Sequence, residues 1–269
     1  MNISKYTGLL AMAGKTNRHL FCTNCGTETI SFSTPSVCSW CELPIAFPHD
    51  DIGANDIQFP SAFRSLLQSG NHNGAVELSE KATAESPLPE RFYVGALACV
   101  AGSNKEVSMV NYALKGFMEE NIAHRDASAR LFSSAKLKFN KAISICEAQI
   151  SNGSAAPSTI YLLFLLYVKS GKTRYAEKSL EKLKAVKADM LYHYARLVFY
   201  SMIGDFDSVL SVSSEPTMLE NAPLVTIHYV ALALFKKGYR SDAKFLLGEF
   251  LKYVDTDSSR HLYEEISSP

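Results

Sequence analysis

The chain has 269 residues, 47% of them hydrophobic, and its 27 basic side chains balance its 27 acidic ones. That length suits a small module plus a substantial second domain, and the apolar content is ordinary for a globular protein. Zero net charge removes any long-range pull toward nucleic acid or an anionic membrane, and no apolar run reaches membrane-spanning length.

Met1–Leu20 opens with an apolar run, Gly8–Ala13, that is too short for a signal peptide. The reading is therefore a cytoplasmic protein whose thiols stay reduced, with residues 1–16 as a flexible leader. Ala13-Gly14-Lys15-Thr16 has the ending of a phosphate-binding loop, but Leu9 stands where that motif needs its first glycine. No strand precedes it, so it is read as a chance sequence.

Residues 17–48 carry the strongest chemistry. Cys22-Thr-Asn-Cys25 and Cys38-Ser-Trp-Cys41 are two Cys-x2-Cys pairs separated by twelve residues, with Gly26 directly after the first. Each such turn points both sulfurs into one hollow. Two of them facing each other form a tetrahedral thiolate cage, which suits one structural Zn²⁺. Glu28–Ser33 fits between them as a short strand, and Thr34-Pro35-Ser36 turns the chain back. Four thiolates leave no open position for catalytic water, and iron in a rubredoxin-like cage is the alternative metal. The module resembles the zinc ribbons, and replacing Cys25 by Ser is expected to unfold it while leaving the helical array largely intact, because repeats contact mainly their neighbours. Cys99 and Cys146, in apolar helical sequence, read as small buried hydrophobes.

After a linker at 49–56, periodicity organises residues 57–256. Gly171, Gly204 and Gly238 are spaced by 33 and 34 residues, and each is followed five positions later by Ala176, Val209 or Ala243. The helical stretches Ile160–Ser170, Leu191–Ile203 and Leu224–Lys237 precede these glycines. Thr173–Lys187, Phe206–Ser213 and Ser241–Tyr253 follow as second helices. The same unit stands earlier, with Phe59–Gln68 as first helix, Gly70 as the turn, Ala75 and Ala82 as small contacts, and Pro87 at the close. Helix, glycine turn and helix repeated at this period resemble the tetratricopeptide (TPR) family. The fold class is therefore mostly α: a TPR-like α-solenoid behind a small zinc ribbon. Residues 90–156 are degenerate. Arg91–Ala101 and Val107–Glu120 are expected as a pair joined by Gly102-Ser103-Asn104, while Ala123–Ile150 reads as one long helix or a pair with a disguised turn. Ser151–Pro157 is a loop, and 257–269 are a polar capping helix and tail.

The TPR resemblance implies a concave groove lined by first helices, and alignment on the turn glycines places candidate partner-binding residues there. Tyr161, Tyr194 and His228 share one position, Leu165, Val198 and Leu232 a second, and Lys169 and Lys236, with Met202, a third. Such a groove is apolar, with tyrosine hydroxyls and a few lysines, and suits an amphipathic helix or apolar segment of a protein partner. The seven histidines form no metal or catalytic motif, and no nucleophile elbow accompanies them, so no enzyme is read. The functional reading is a non-enzymatic interaction adaptor or a structural subunit of a multi-subunit complex. Nucleic-acid binding through the ribbon is the alternative, with Trp40, Phe21 and Phe32 stacking on bases. Against it, Arg18 is the only fixed cation between residues 17 and 48, facing Glu28, Glu42 and a cage that adds two further negative charges.

Overall fold

The computed structural model describes Tyr6, Leu10 and residues 18–31, 36–45, 54–113, 118–153, 156–216, 218, 222–254 and 256–268. The rest of the leader with its Gly-Lys-Thr, Phe32, His49 and residues 49–53 of the linker lie outside these. The chain forms two compact units. One comprises Met1–Cys22, Thr27–Gly53 and Ala156–Pro269; the other comprises Thr23–Gly26 and Ala54–Ala155.

Two short antiparallel hairpins carry the cysteines at their tips. Strands β1 (Arg18–Phe21) and β2 (Glu28–Ser31) pair with Leu20 opposite Thr29, and β3 (Ser36–Val37) and β4 (Pro44–Ile45) pair with Val37 opposite Pro44. The two tips close alike. The Cys22 amide donates to the Thr27 carbonyl at 3.0 Å and the Cys38 amide to the Leu43 carbonyl at 2.8 Å, each reaching the residue five positions on.

In the unit of residues 54–155 stand α1 (Ala54–Gln68), α2 (His72–Glu85), α3 (Pro89–Ala113) and α4 (Met118–Ser151). The expected break at Gly102-Ser103-Asn104 is absent, because α3 runs through it. Gly102 serves close packing: a Cβ there would lie 3.0 Å from His72 Cβ and 3.1 Å from Leu131 Cδ1. Ser103 adds a hydroxyl pair with Ser128, Oγ to Oγ 2.8 Å. Of the two readings of Ala123–Ile150, the single long helix is the one found. Cys99 and Cys146 are buried here, and burial pushes the Cys146 thiol up to about 12, as an inert core thiol requires.

Among the described residues, the other unit stacks α5 (Pro157–Lys169), α6 (Thr173–Ala185), α7 (Asp189–Ile203), α8 (Phe206–Val212), α9 (Thr226–Lys236), α10 (Arg240–Phe250) and α11 (Asp257–Ser267). The repeat turns are built identically. Gly171, Gly204 and Gly238 take φ of 68°, 77° and 86°. In each turn the following amide reaches back to close a Schellman motif: Lys172 to Tyr167, Asp205 to Tyr200 and Tyr239 to Leu234, at 2.8–2.9 Å. Gly70 ends α1 in the same way, with Asn71 donating to Leu66 at 2.8 Å. Ala176, Val209 and Ala243 are wholly buried where second helices press on first. The core of the last repeats also takes in Leu262 and Ile266 of α11, together with Tyr6 and Leu10 from the segment read as a leader. Tyr6 Oη lies 2.8 Å from Ser213 Oγ.

Candidate functional site

Among the described residues, one group of His, Cys, Asp or Glu side chains is placed to hold a metal ion, and it is Cys22, Cys25, Cys38 and Cys41. All four are buried and unbridged by disulfides, with their sulfurs within 4.8 Å of one another. A tetrahedral zinc–thiolate site with Zn–S of about 2.3 Å has S···S edges of about 3.8 Å. Cys22 Sγ and Cys41 Sγ stand 3.6 Å apart, so the donor set fits such an ion. The Trp40 amide donates to Cys38 Sγ at 3.4 Å, the N–H···S contact that steadies a thiolate.

The two knuckles differ at one equivalent position. The residue after each second cysteine must turn with positive φ: Gly26 does so at 74°, but its counterpart is Glu42, at 61°. A non-glycine residue there costs about 1–2 kcal/mol. Its side chain shows what offsets that cost. Glu42 is 8% exposed and lies among the first helices of the last three repeats. Lys169 Nζ on α5 donates to Oε1 at 2.8 Å, and Tyr229 Oη on α9 to Oε2 at 2.9 Å. Tyr194 on α7 donates to Oε2 at 3.4 Å, and Tyr161 on α5 donates to the Glu42 backbone carbonyl at 3.0 Å. Rings of Tyr161, Tyr194 and Tyr229 continue from repeat to repeat, with centroids 6.5 and 6.1 Å apart.

Electrostatics agree with this geometry. Burial alone would raise the Glu42 carboxyl, but the Lys169 ammonium and the hydrogen bonds it and Tyr229 supply hold the group below its ordinary value. Burial pushes the Tyr194 and Tyr229 hydroxyls well above theirs, helped by Tyr229 and then Glu42 at Tyr194 and by Glu42 at Tyr229, so both remain donors. His228 is pushed down to about 4, chiefly by burial, and is neutral near pH 7.

Tyr161, Lys169 and Tyr194, read from sequence as groove residues, thus converge on Glu42 of the same chain. Leu165 and Val198 are buried. In the last repeat, His228 feels the Glu42 carboxylate and also meets α11, its Nδ1 3.0 Å from Ser259 Oγ; Lys236 reaches Glu265 of α11 at 3.2 Å, and Leu232 is half-buried. Tyr229, one residue beyond His228, completes the row. Alignment on the glycine missed it by that one step, although three tyrosines in near-equivalent places were the available signal. The groove centre is correspondingly more polar than its side-chain list suggested. The second knuckle is tied to the array through these Glu42 contacts.

No protein-family model matches the sequence, and neither does any curated protein. Among solved structures, the chain is similar to a tetratricopeptide repeat protein from Parabacteroides merdae, at 14% identity and a TM-score of 0.44, over 78% of this chain and 84% of that one. The chain joins a four-cysteine module to a TPR-like array of helical repeats. No described helix is long and apolar enough to cross a membrane.

Proposed function

We propose that this chain is a non-enzymatic interaction adaptor, or a structural subunit of a larger assembly, with one structural Zn²⁺ on its four cysteines. The observation that carries this reading is the row Tyr161, Lys169, Tyr194 and Tyr229, which recognises a turn of polypeptide by its carboxylate and its backbone carbonyl. That is how repeat arrays read peptides: aromatic rings give contact area at small entropic cost, and their hydroxyls fix the register. The partner segment such a row suits carries an acidic side chain, and it enters where Glu42 now sits.

Affinity capture from the native host, followed by cross-linking mass spectrometry, tests this. A Glu42→Ala chain should capture more of a nuclease-resistant protein partner than wild type, with cross-links at Lys169. Adding Lys169→Met and Tyr229→Phe should abolish the gain. Identical capture by all three chains would overturn the groove as the partner site.

A further inference from the structure

Glu42 belongs to two sites at once. Its backbone closes the knuckle that ends in Cys41, and its side chain is the anion on which three repeats converge. We infer that metal occupancy controls the groove: the loaded knuckle is the array's built-in ligand, and loss of the metal withdraws Glu42 and vacates the tyrosine row. The inference rests on the proposed zinc occupancy of the cage.

The argument is one of linkage. Glu42 takes a left-handed conformation that the knuckle, closed by the Glu42 amide donating to the Cys38 carbonyl at 3.0 Å, imposes. In a relaxed chain a glutamate leaves that conformation readily, and the carboxylate swings away from Lys169 and Tyr229. Withdrawal of the carboxylate takes the acceptor from the Tyr229 hydroxyl and the anion from Lys169, which is costly for the buried donor. Each site therefore stabilises the other through a single residue, and the coupling is reciprocal by thermodynamic necessity. Array residues that never touch the metal must then set part of its affinity.

Zinc affinity of the full chain, measured by competition with a chromophoric chelator, reads this directly. Lys169→Met and Tyr229→Phe should each weaken zinc binding about tenfold. In a Glu42→Gly background, where glycine accepts the turn but offers no carboxylate, the same changes should have no effect. Lys236→Met, which faces α11, serves as the control and should leave zinc affinity unaltered. Should a variant fail to fold, hydrogen exchange on the wild-type chain decides: zinc added to stripped protein should slow exchange in α5, α7 and α9. One equivalent of zinc bound with equal affinity by all variants, or with exchange in those helices unchanged, overturns the coupling. Failure to bind zinc at all overturns the metal reading, and the coupling with it.

Discussion

Tyr229 and Tyr194 both aim a hydroxyl at Glu42 Oε2, but at 2.9 and 3.4 Å, so losing them should not cost the same. Tyr229→Phe keeps the ring and removes a hydrogen bond to a charged acceptor, a loss of about 1.5–3 kcal/mol. Tyr194→Phe should cost less than about 1 kcal/mol. Urea unfolding of both variants checks the order, and equal losses would mean that the carboxylate does not distinguish them. His228 supplies a second prediction. Its folded pKa of about 4 lies below its ordinary 6.5, so as pH falls the unfolded chain takes up the proton first. Its stabilising contribution is present above pH 6.5 and is lost as pH falls toward 4. The melting temperature should drop between pH 7.5 and 5.5, and His228→Asn should flatten that slope; parallel slopes would assign it to other groups. Glu42 itself was hidden in the sequence because an acid beside a metal knuckle looks solvated. The available clue was the asymmetry between Gly26 and Glu42, two residues in equivalent positions of which only one suits a left-handed turn.

At the scale of helices, glycine has two uses that a sequence does not distinguish. A Cβ at Gly171, Gly204 or Gly238 would meet nothing within 4 Å, so those glycines exist for their positive φ alone. That use repeats with the period of the fold, which is why the last three helix pairs and the first were legible. Gly95 and Gly102 instead admit a neighbouring helix, and Gly102 beside Ser103-Asn104 therefore imitated a turn. A Cβ at Gly95 would sit 2.4 Å from Ser79 Oγ and 3.0 Å from Ser79 Cβ, between α3 and α2. Gly95→Ala should destabilise by about 1–3 kcal/mol, the usual cost of overpacking, despite alanine's better helix propensity. Ser79→Gly should recover most of that loss in the double variant, a non-additivity that thermal melts of the four chains would show. Additive losses would place the strain elsewhere.

For the molecule as a whole, charge and metal make separate predictions. With 27 charges of each sign, the chain should bind DNA or RNA only weakly at physiological salt, and sub-micromolar affinity there would overturn the adaptor reading in favour of the ribbon as a nucleic-acid module. The metal prediction uses Trp40, the single tryptophan, which lies between two ligands in the second knuckle and is half-buried. Its fluorescence reports the knuckle, while far-ultraviolet circular dichroism reports the helices. Elemental analysis should give one zinc per chain, and a chelator should red-shift Trp40 while leaving most helical signal in place, because structural-zinc binding energy is folding energy for the module around it. The Glu42 contacts add a further consequence. On unfolding of loaded wild-type protein by denaturant, fluorescence should change together with the part of the helical signal contributed by α5–α11, since Lys169, Tyr194 and Tyr229 bind the knuckle to those repeats. In Glu42→Gly the knuckle should still load zinc, yet lose its fluorescence signature at a different denaturant concentration from the helices. Coincident transitions in that variant would mean that apolar packing, not the buried carboxylate, holds knuckle and repeats in one cooperative unit.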